Sequence, residues 1–198
     1  MKLSVLAGIV GSDGHLTKNE SAVVIVNKDM EFLKKEVLPL LKSLTDKPVS
    51  VSWSSSGYGD GKYLVRVWDK ELQQLLCNKY GIPRGKKDGI KLPRLPPREM
   101  MYFILGWIAG DGSVTSDRGR PKIEIWSKDA ALIKKFFNFL VGKGMRPRIF
   151  DASNGRKILR LGRSEDLRKF SRHRIPHPAK NRKLKNFLAP ADAGFSTS

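Results

Sequence analysis

Two acidic residues carry the clearest chemical signal in the chain. Asp13 and Asp111 lie 98 positions apart, and each closes an apolar run studded with small residues. The runs read Leu6-Ala7-Gly8-Ile9-Val10-Gly11-Ser12-Asp13-Gly14 and Ile104-Leu105-Gly106-Trp107-Ile108-Ala109-Gly110-Asp111-Gly112. Both are predicted to be helical, with the acid at the end where the helix dipole is negative, which disfavours a carboxylate by ~0.3–1 kcal/mol. Setting two such ends together adds like-charge repulsion, so something positive has to sit between them. A divalent cation bound by oxygen ligands meets that need, and two carboxylates at a helix-pair end suit Mg²⁺ beside a phosphodiester. One Asp-Gly pair alone would read as a turn. Two at matched positions in a strongly basic chain favour metal.

The elements around these acids are duplicated. Gly8, Asp13, Gly14 and Thr17 fall on Gly106, Asp111, Gly112 and Thr115. Lys28, Asp29, Lys34, Lys35 and Leu40 fall on Lys128, Asp129, Lys134, Lys135 and Leu140, and Leu64-Val65-Arg66-Val67 on Ile158-Leu159-Arg160-Leu161. Two copies of this length make a pseudo-dimer, not a solenoid. Each half reads αββαββα, an α+β architecture whose antiparallel sheet carries helices on one face. In the first half Met30, Leu33, Val37, Leu40, Leu41 and Leu44 recur at helical spacing behind an N-cap, Asp29, with Pro39 expected to kink the helix. Asp129 starts its counterpart, which Gly142 or Gly144 can end. The expected organisation is a first half over 1–85, a Gly/Pro-rich linker over 86–97, a second half over 98–188 and a tail over 189–198. The paired glycines, Gly8 with Gly11 and Gly106 with Gly110, would let the two acidic-ended helices approach backbone to backbone on the pseudo-twofold axis.

Charge narrows the partner. The chain has 198 residues, with 38 Lys+Arg against 19 Asp+Glu for a net charge of +19 spread along its length, which points to a nucleic acid. A basic ribosomal or membrane-surface protein is the bland alternative, but β-rich segments do not read as a basic amphipathic helix on lipid. Cys77, the single cysteine, allows neither an internal disulfide nor a thiolate metal site and fits a reducing compartment. The apolar runs at the start and at 100–110 are too short to span a bilayer. His15, His173 and His177 lack a repeated ligand spacing and are read as surface or DNA-facing.

The two apolar runs resemble the paired LAGLIDADG motifs of homing endonucleases, and the resemblance covers nearly the whole chain. It implies two αββαββα halves whose sheets form a DNA-binding saddle, with the motif helices at the interface. It also implies Asp13 and Asp111 as shared metal ligands, with the neighbouring carbonyls of Ser12 and Gly110 as further ones. The cofactor implied is Mg²⁺, with Ca²⁺ or Mn²⁺ as substitutes for binding or activity. The activity implied is a double-strand break in a long, roughly pseudo-palindromic site, made by metal-activated water, with the chain acting as a monomer without an obligate protein partner. Departures fall at the motif's sixth position, Gly11 and Ala109 in place of Asp, and at the fourth, where Trp107 replaces an aliphatic residue; neither touches the metal acids. Basic and amide groups near the metals are nominated by the repeat: Lys28 and Lys128, Asn27 and Ser127 beside them, and Lys87 with Lys180. Matched lysines serve equally well as phosphate clamps.

Period-two alternation selects the DNA readers. Ser50, Ser52 and Ser54 share a face, as do Lys62 and Arg66, and Lys122, Glu124 and Trp126. Lys18, Arg120, Arg146, Arg148, Arg156 and Arg160 complete the basic set. Arginine's fork suits guanine edges, so Arg66, Arg148 and Arg160 are expected on bases and lysines on phosphates. The segments 54–61 and 151–155 are expected hairpin tips. A non-cutting binder or an intron RNA-splicing maturase of the same fold is the competing reading. The expected location is the cytoplasm or nucleoid, or an organelle in a eukaryote.

Overall fold

Helices α1 (Lys2–Asp13) and α5 (Pro97–Ala109) lie against each other at the centre of the molecule. In the computed structural model, which describes residues 1–55, 61–85, 89–153 and 155–189, their crossing is set by two glycines. A Cβ on Gly8 would lie 2.1 Å from the Phe103 carbonyl oxygen, and one on Gly106 would lie 2.1 Å from that of Val5. No other residue allows this backbone-to-backbone approach. Pro97 in the first turn of α5 loses no helical hydrogen bond there, and Glu99 complements the positive end of the helix.

Each helix leads into a four-stranded antiparallel sheet. The first comprises β1 (Gly14–Leu16), β2 (Ala22–Asn27), β3 (Val49–Ser54) and β4 (Lys62–Trp68) in the order β1-β2-β4-β3. The second repeats it with β5 (Gly112–Asp117), β6 (Arg120–Ser127), β7 (Arg148–Asp151) and β8 (Lys157–Leu161) in the order β5-β6-β8-β7. Alternation assigns the faces. Val23, Ile25, Val65 and Val67 in one sheet, and Ile123, Ile125, Leu159 and Leu161 in the other, are buried in a single core that also holds both motif helices. The alternate residues form the opposite face of each sheet.

The helices behind the sheets start where expected. The Asp29 carboxylate accepts from the Phe32 amide at the start of α2 (Met30–Phe32), and Asp129 accepts from Leu132 in α6 (Ala130–Gly142). Pro39 sits in the first turn of α3 (Leu38–Lys42), and the helix reaches it through a wide π-helical turn over Leu33–Val37. The Leu38 amide there reaches back five residues to the Leu33 carbonyl, just ahead of the proline that has no amide proton to donate. Gly144, not Gly142, takes the left-handed backbone after α6, with φ +70°.

Cys77 lies in α4 (Lys70–Tyr80). Ile90, Leu92 and Leu95 of the segment before α5 are buried in the core, and Lys135 donates to the Leu92 carbonyl. The second half ends in two helices rather than one, α7 (Ser164–Ser171) and α8 (Pro178–Leu188). Among the described residues no helix is long and apolar enough to cross a membrane.

Candidate active site and nucleic-acid interface

The glycine crossing brings the acidic ends of α1 and α5 together. Asp13 is the last residue of α1, whereas α5 stops at Ala109 and turns through Gly110 into Asp111. A Cβ on Gly110 would lie 3.0 Å from the Asp13 Cγ and 2.1 Å from the Ser12 Oγ, so the two motif ends touch. The acids are nevertheless unequal. Asp13 is half-buried and Asp111 exposed.

Burial pushes the Asp13 carboxyl up from its ordinary 3.8 to about 6, with the neighbouring Asp111 carboxylate pushing the same way. Two groups oppose them, the Asn27 amide, which donates to Asp13 Oδ2 at 2.5 Å, and the Lys180 ammonium. Asn27 is itself fixed, since its Oδ1 accepts from the Asp29 amide at 2.8 Å. In the second half Ser127 closes the same turn by accepting from the Asp129 amide at 3.0 Å. Its shorter side chain lines the cleft that Asp111 also lines.

Lys180 caps the second motif. Its Nζ donates to the carbonyls of Ile108, Ala109 and Gly110 at 2.9, 2.7 and 2.7 Å, satisfying the orphan acceptors at the negative end of α5. Burial lowers its pKa to about 8, against the pull of Asp13, Asp111 and Asp29. The helix that delivers it, α8, is anchored on the first half. The His177 ring preceding it stacks on Phe32 with centroids 4.7 Å apart and planes at 7°, and its Nε2 lies 3.5 Å from the Asp29 carboxylate. Thus His177 is buried, not on the surface, because an aromatic partner from the other half covers it.

A cleft of about 810 Å³ opens beside Asp111, lined in part by Ser12, Trp126, Ser127, Lys128 and Arg156. Of the nominated lysines, Lys128 therefore faces this cleft and Lys180 the motif ends. Lys28 is exposed, and none of these hydrogen bonds at the motif ends, one from Asn27 and three from Lys180, involves it. Lys87 lies outside the described residues, as do 56–60 and 154 of the two expected hairpin tips. Among the described residues no three of His, Cys, Asp and Glu cluster in a way that could hold a metal. The oxygen donors that fit a hard divalent cation are the two carboxylates and the motif-end carbonyls, so its shell is left to be completed by water and phosphate.

Beyond the acids, the sheets present their second faces. In the first, Ser50 pairs with Arg66, Ser52 with Leu64 and Ser54 with Lys62, so the serines and the two cations share one face as their alternation predicts. The centre of that face is apolar: Ala22, Val24 and Val26 cluster with Leu64. Lys18 is exposed just beyond β1. The equivalent face of the second sheet is charged. Arg120, Lys122, Arg146, Arg148 and Arg160 line a groove of about 340 Å³, and Glu124 and Trp126 lie on the same side of β6. Arg156 lies apart from this groove, because it precedes β8 and lines the cleft beside Asp111.

The sequence reading missed helix α8 and its cap on α5. The available signal was Pro178 at a first helical turn, with Leu184, Phe187 and Leu188 spaced to follow.

Two acid-ended helices packed on glycines, each leading into a four-stranded antiparallel sheet, give the two-halved α+β fold that LAGLIDADG proteins share. Residues 98–173 match the family of LAGLIDADG-like domains. The chain is similar to the homing endonuclease I-DmoI of Desulfurococcus mucosus, with 28% identity over 148 residues, 71% of this chain and 70% of that protein. A structure of mesophilic variants of I-DmoI superposes with a TM-score of 0.69 at 20% identity, covering 93% of this chain and 97% of that one. I-DmoI in complex with DNA and Mn gives 0.65 at 22% identity, covering 84% and 92%. The fold is shared with the N-terminal LAGLIDADG domain of DUF199/WhiA, at a TM-score of 0.60 and 16% identity over 98% of this chain and 85% of that one.

Proposed function

We propose that this protein is a site-specific, metal-dependent DNA endonuclease that acts as a monomer on duplex DNA. One observation carries the reading: two carboxylates meet at the ends of a glycine-packed helix pair, in a +19 chain whose two sheets carry cationic side chains on the face away from the core. I-DmoI, the similar protein, is a homing endonuclease and has been crystallised with DNA together with Mn and with Ca. These associations support a divalent cation here, and Mg²⁺ is the one we assign.

Asp13 and Asp111 are the proposed shared ligands, with the carbonyl of Ser12 as a further oxygen donor and that of Gly110 as another where it shares its second lone pair beyond the Lys180 hydrogen bond. Such a cation, when bound, supplies Lewis-acid polarisation of a phosphate oxygen and lowers the pKa of coordinated water. The chain's own residues prepare the rest. Asn27 orients the Asp13 carboxylate; the Lys180 ammonium holds the turn that presents Asp111 and adds positive charge beside the phosphate as negative charge develops. Lys128 and Arg156 on the cleft wall are placed to clamp the DNA backbone. The sheets read base edges through Arg66, Arg148 and Arg160, with Lys62, Arg120, Lys122 and Arg146 beside them on the phosphates.

The test is cleavage of a randomised duplex library with Mg²⁺ by the wild type and by Asp111→Asn, with the cut ends sequenced. A single long site cut by the wild type, and bound but not cut by the variant, is the expected result. Normal cutting by Asp111→Asn would remove the acids from the mechanism. Selective binding without any cleavage by the wild type would support a repressor or maturase instead.

A further inference from the structure

The Arg160 guanidinium is held before any DNA arrives. Across β6 and β8, Glu124 and Arg160 are direct partners, and Arg148 flanks Arg160 on the other side from β7. Glu124 is 6% exposed, on the same side of β6 as Lys122, which lines the groove of the second sheet. Its Oε1 accepts from the Arg160 Nε at 2.8 Å and from Nη2 at 2.7 Å, and the Lys122 Nζ approaches it at 3.3 Å. The Phe150 ring covers one face of the same guanidinium, 4.5 Å from its central carbon. One edge and one face are therefore occupied. Of the five N–H donors, the two on the Nε side are spent on Glu124, and among the described residues no group takes the parallel Nη1–H and Nη2–H pair at the tip.

The repeat supplies an internal comparison. Arg66 occupies the matching position in the first sheet, but its partner across β2 is Val24. Among the described residues no carboxylate reaches the Arg66 guanidinium; it only leans over Trp68, whose ring centroid is 5.3 Å away and which is itself exposed. The equivalent position in the first sheet is filled by valine, so the fold itself does not require a carboxylate there. Burying an acid under a groove of cations in a protein that must bind a polyanion costs affinity for every sequence alike.

We propose that Glu124 is a specificity-determining positioning residue: it locks Arg160 so that its free fork reads the O6 and N7 of one guanine in the half-site under the second sheet. The inference rests on the endonuclease reading above. It makes recognition unequal between the halves. The guanine read by Arg160 is strictly required, and the pseudo-symmetric base opposite Arg66 is tolerant of change, because an unlocked arginine pays its ordering cost on binding and can settle on other acceptors.

The experiment starts from the target selected with the wild type from a randomised duplex library. Binding of the wild type, Glu124→Gln and Arg160→Lys is then measured on every single base-pair substitution of it. Glu124→Gln should lower discrimination at one G·C pair about tenfold, the size of one bidentate contact, while tightening binding to unrelated DNA through the lost negative charge. Arg160→Lys, which keeps the charge and loses the fork, should relax the same pair and no other. The proposal is overturned if both variants shift all positions together, or if the relaxed pairs differ between them. Should Glu124→Gln not fold, relaxation by Arg160→Lys at a single G·C pair supports the proposal and uniform weakening overturns it. A wild type that selects no sequence would instead bring down the endonuclease reading itself.

Discussion

Asp13→Asn should make the metal-free protein more stable above pH 6 and useless as a nuclease. The carboxyl titrates near 6 in the folded chain against 3.8 ordinarily, chiefly because it is buried and secondarily because Asp111 stands beside it. A raised acid binds its proton more tightly in the native state than in the unfolded one. Its contribution is therefore fully present below pH 3.8 and is lost as the pH rises through 6. About two pH units at ~1.4 kcal/mol each give an upper bound of ~3 kcal/mol, which solvent at this half-buried site reduces to roughly 1–3 kcal/mol. Asparagine mimics the protonated acid, keeps an oxygen for the Asn27 amide to donate to, and cannot ionise. The pull of Lys180 is already contained in the shift, so no separate correction is needed. Urea unfolding in the presence of a chelator, from pH 4 to pH 8, measures the difference. The variant should match the wild type near pH 4 and exceed it by that margin at pH 8, and adding Mg²⁺ should raise only the wild type. A variant no more stable than the wild type at pH 8 would refute the idea that burial, aided by Asp111, strains the ionised Asp13 carboxyl in the absence of a cation.

Lys180→Met removes three hydrogen bonds to the end of α5 and the cation that holds Asp13 down. Stability should fall by roughly 1–3 kcal/mol in urea unfolding, and the acidic limb of the cleavage-rate profile should move to higher pH, as Asp13 then ionises later. An unmoved limb would uncouple Lys180 from the acid. Gly106→Ala puts a methyl group 2.1 Å from the Val5 carbonyl oxygen and 3.0 Å from its carbon, where only main chain can give way. It should cost at least ~3 kcal/mol, a large part of a typical domain's stability. A thermal melt within a few degrees of the wild type would show that the two motif helices can separate without loss.

Much of this arrangement was legible because it is periodic or duplicated. The strand alternation that set Lys62 and Arg66 on one face survives as paired register with Ser54 and Ser50, and Asp29 and Asp129 cap the helices their positions announced. The glycines facing each other across α1 and α5 were found through the repeat itself. What escaped depends on contacts between distant segments. Asn27 and Lys28 are neighbours, yet one points at Asp13 and the other to solvent, a distinction that the end of a strand makes and composition does not. His177 is buried by a ring from the opposite half, and Lys180 matters because α8, tethered there, crosses the end of a helix that belongs to the earlier part of its own half. Neither leaves a local pattern. Arg156 was grouped with arginines close to it in the chain, but it sits in the turn before β8 and reaches the acid cleft.

Fusion of the two halves in one chain lets them diverge, and the divergence is concentrated where function would use it. A symmetric dimer would have to present the same residue on both sides of its axis, so a change useful on one half-site would be imposed on the other. Here Asn27 is answered by Ser127, Val24 by Glu124, and an acid at the end of its helix by one beyond a turn. The first two differences lie on one structural path. Asn27 at the end of β2 bonds the nearby acid, and Glu124, three positions before the counterpart Ser127, pairs with the arginine across the sheet. Core positions on the same strands stay alike, Val23 and Ile25 against Ile123 and Ile125, because both sheets bury that face in the shared core. The physical constraint of packing thus holds one face of each strand to the repeat and leaves the other face, and the acid at its end, free to become specific to one side of an asymmetric DNA site.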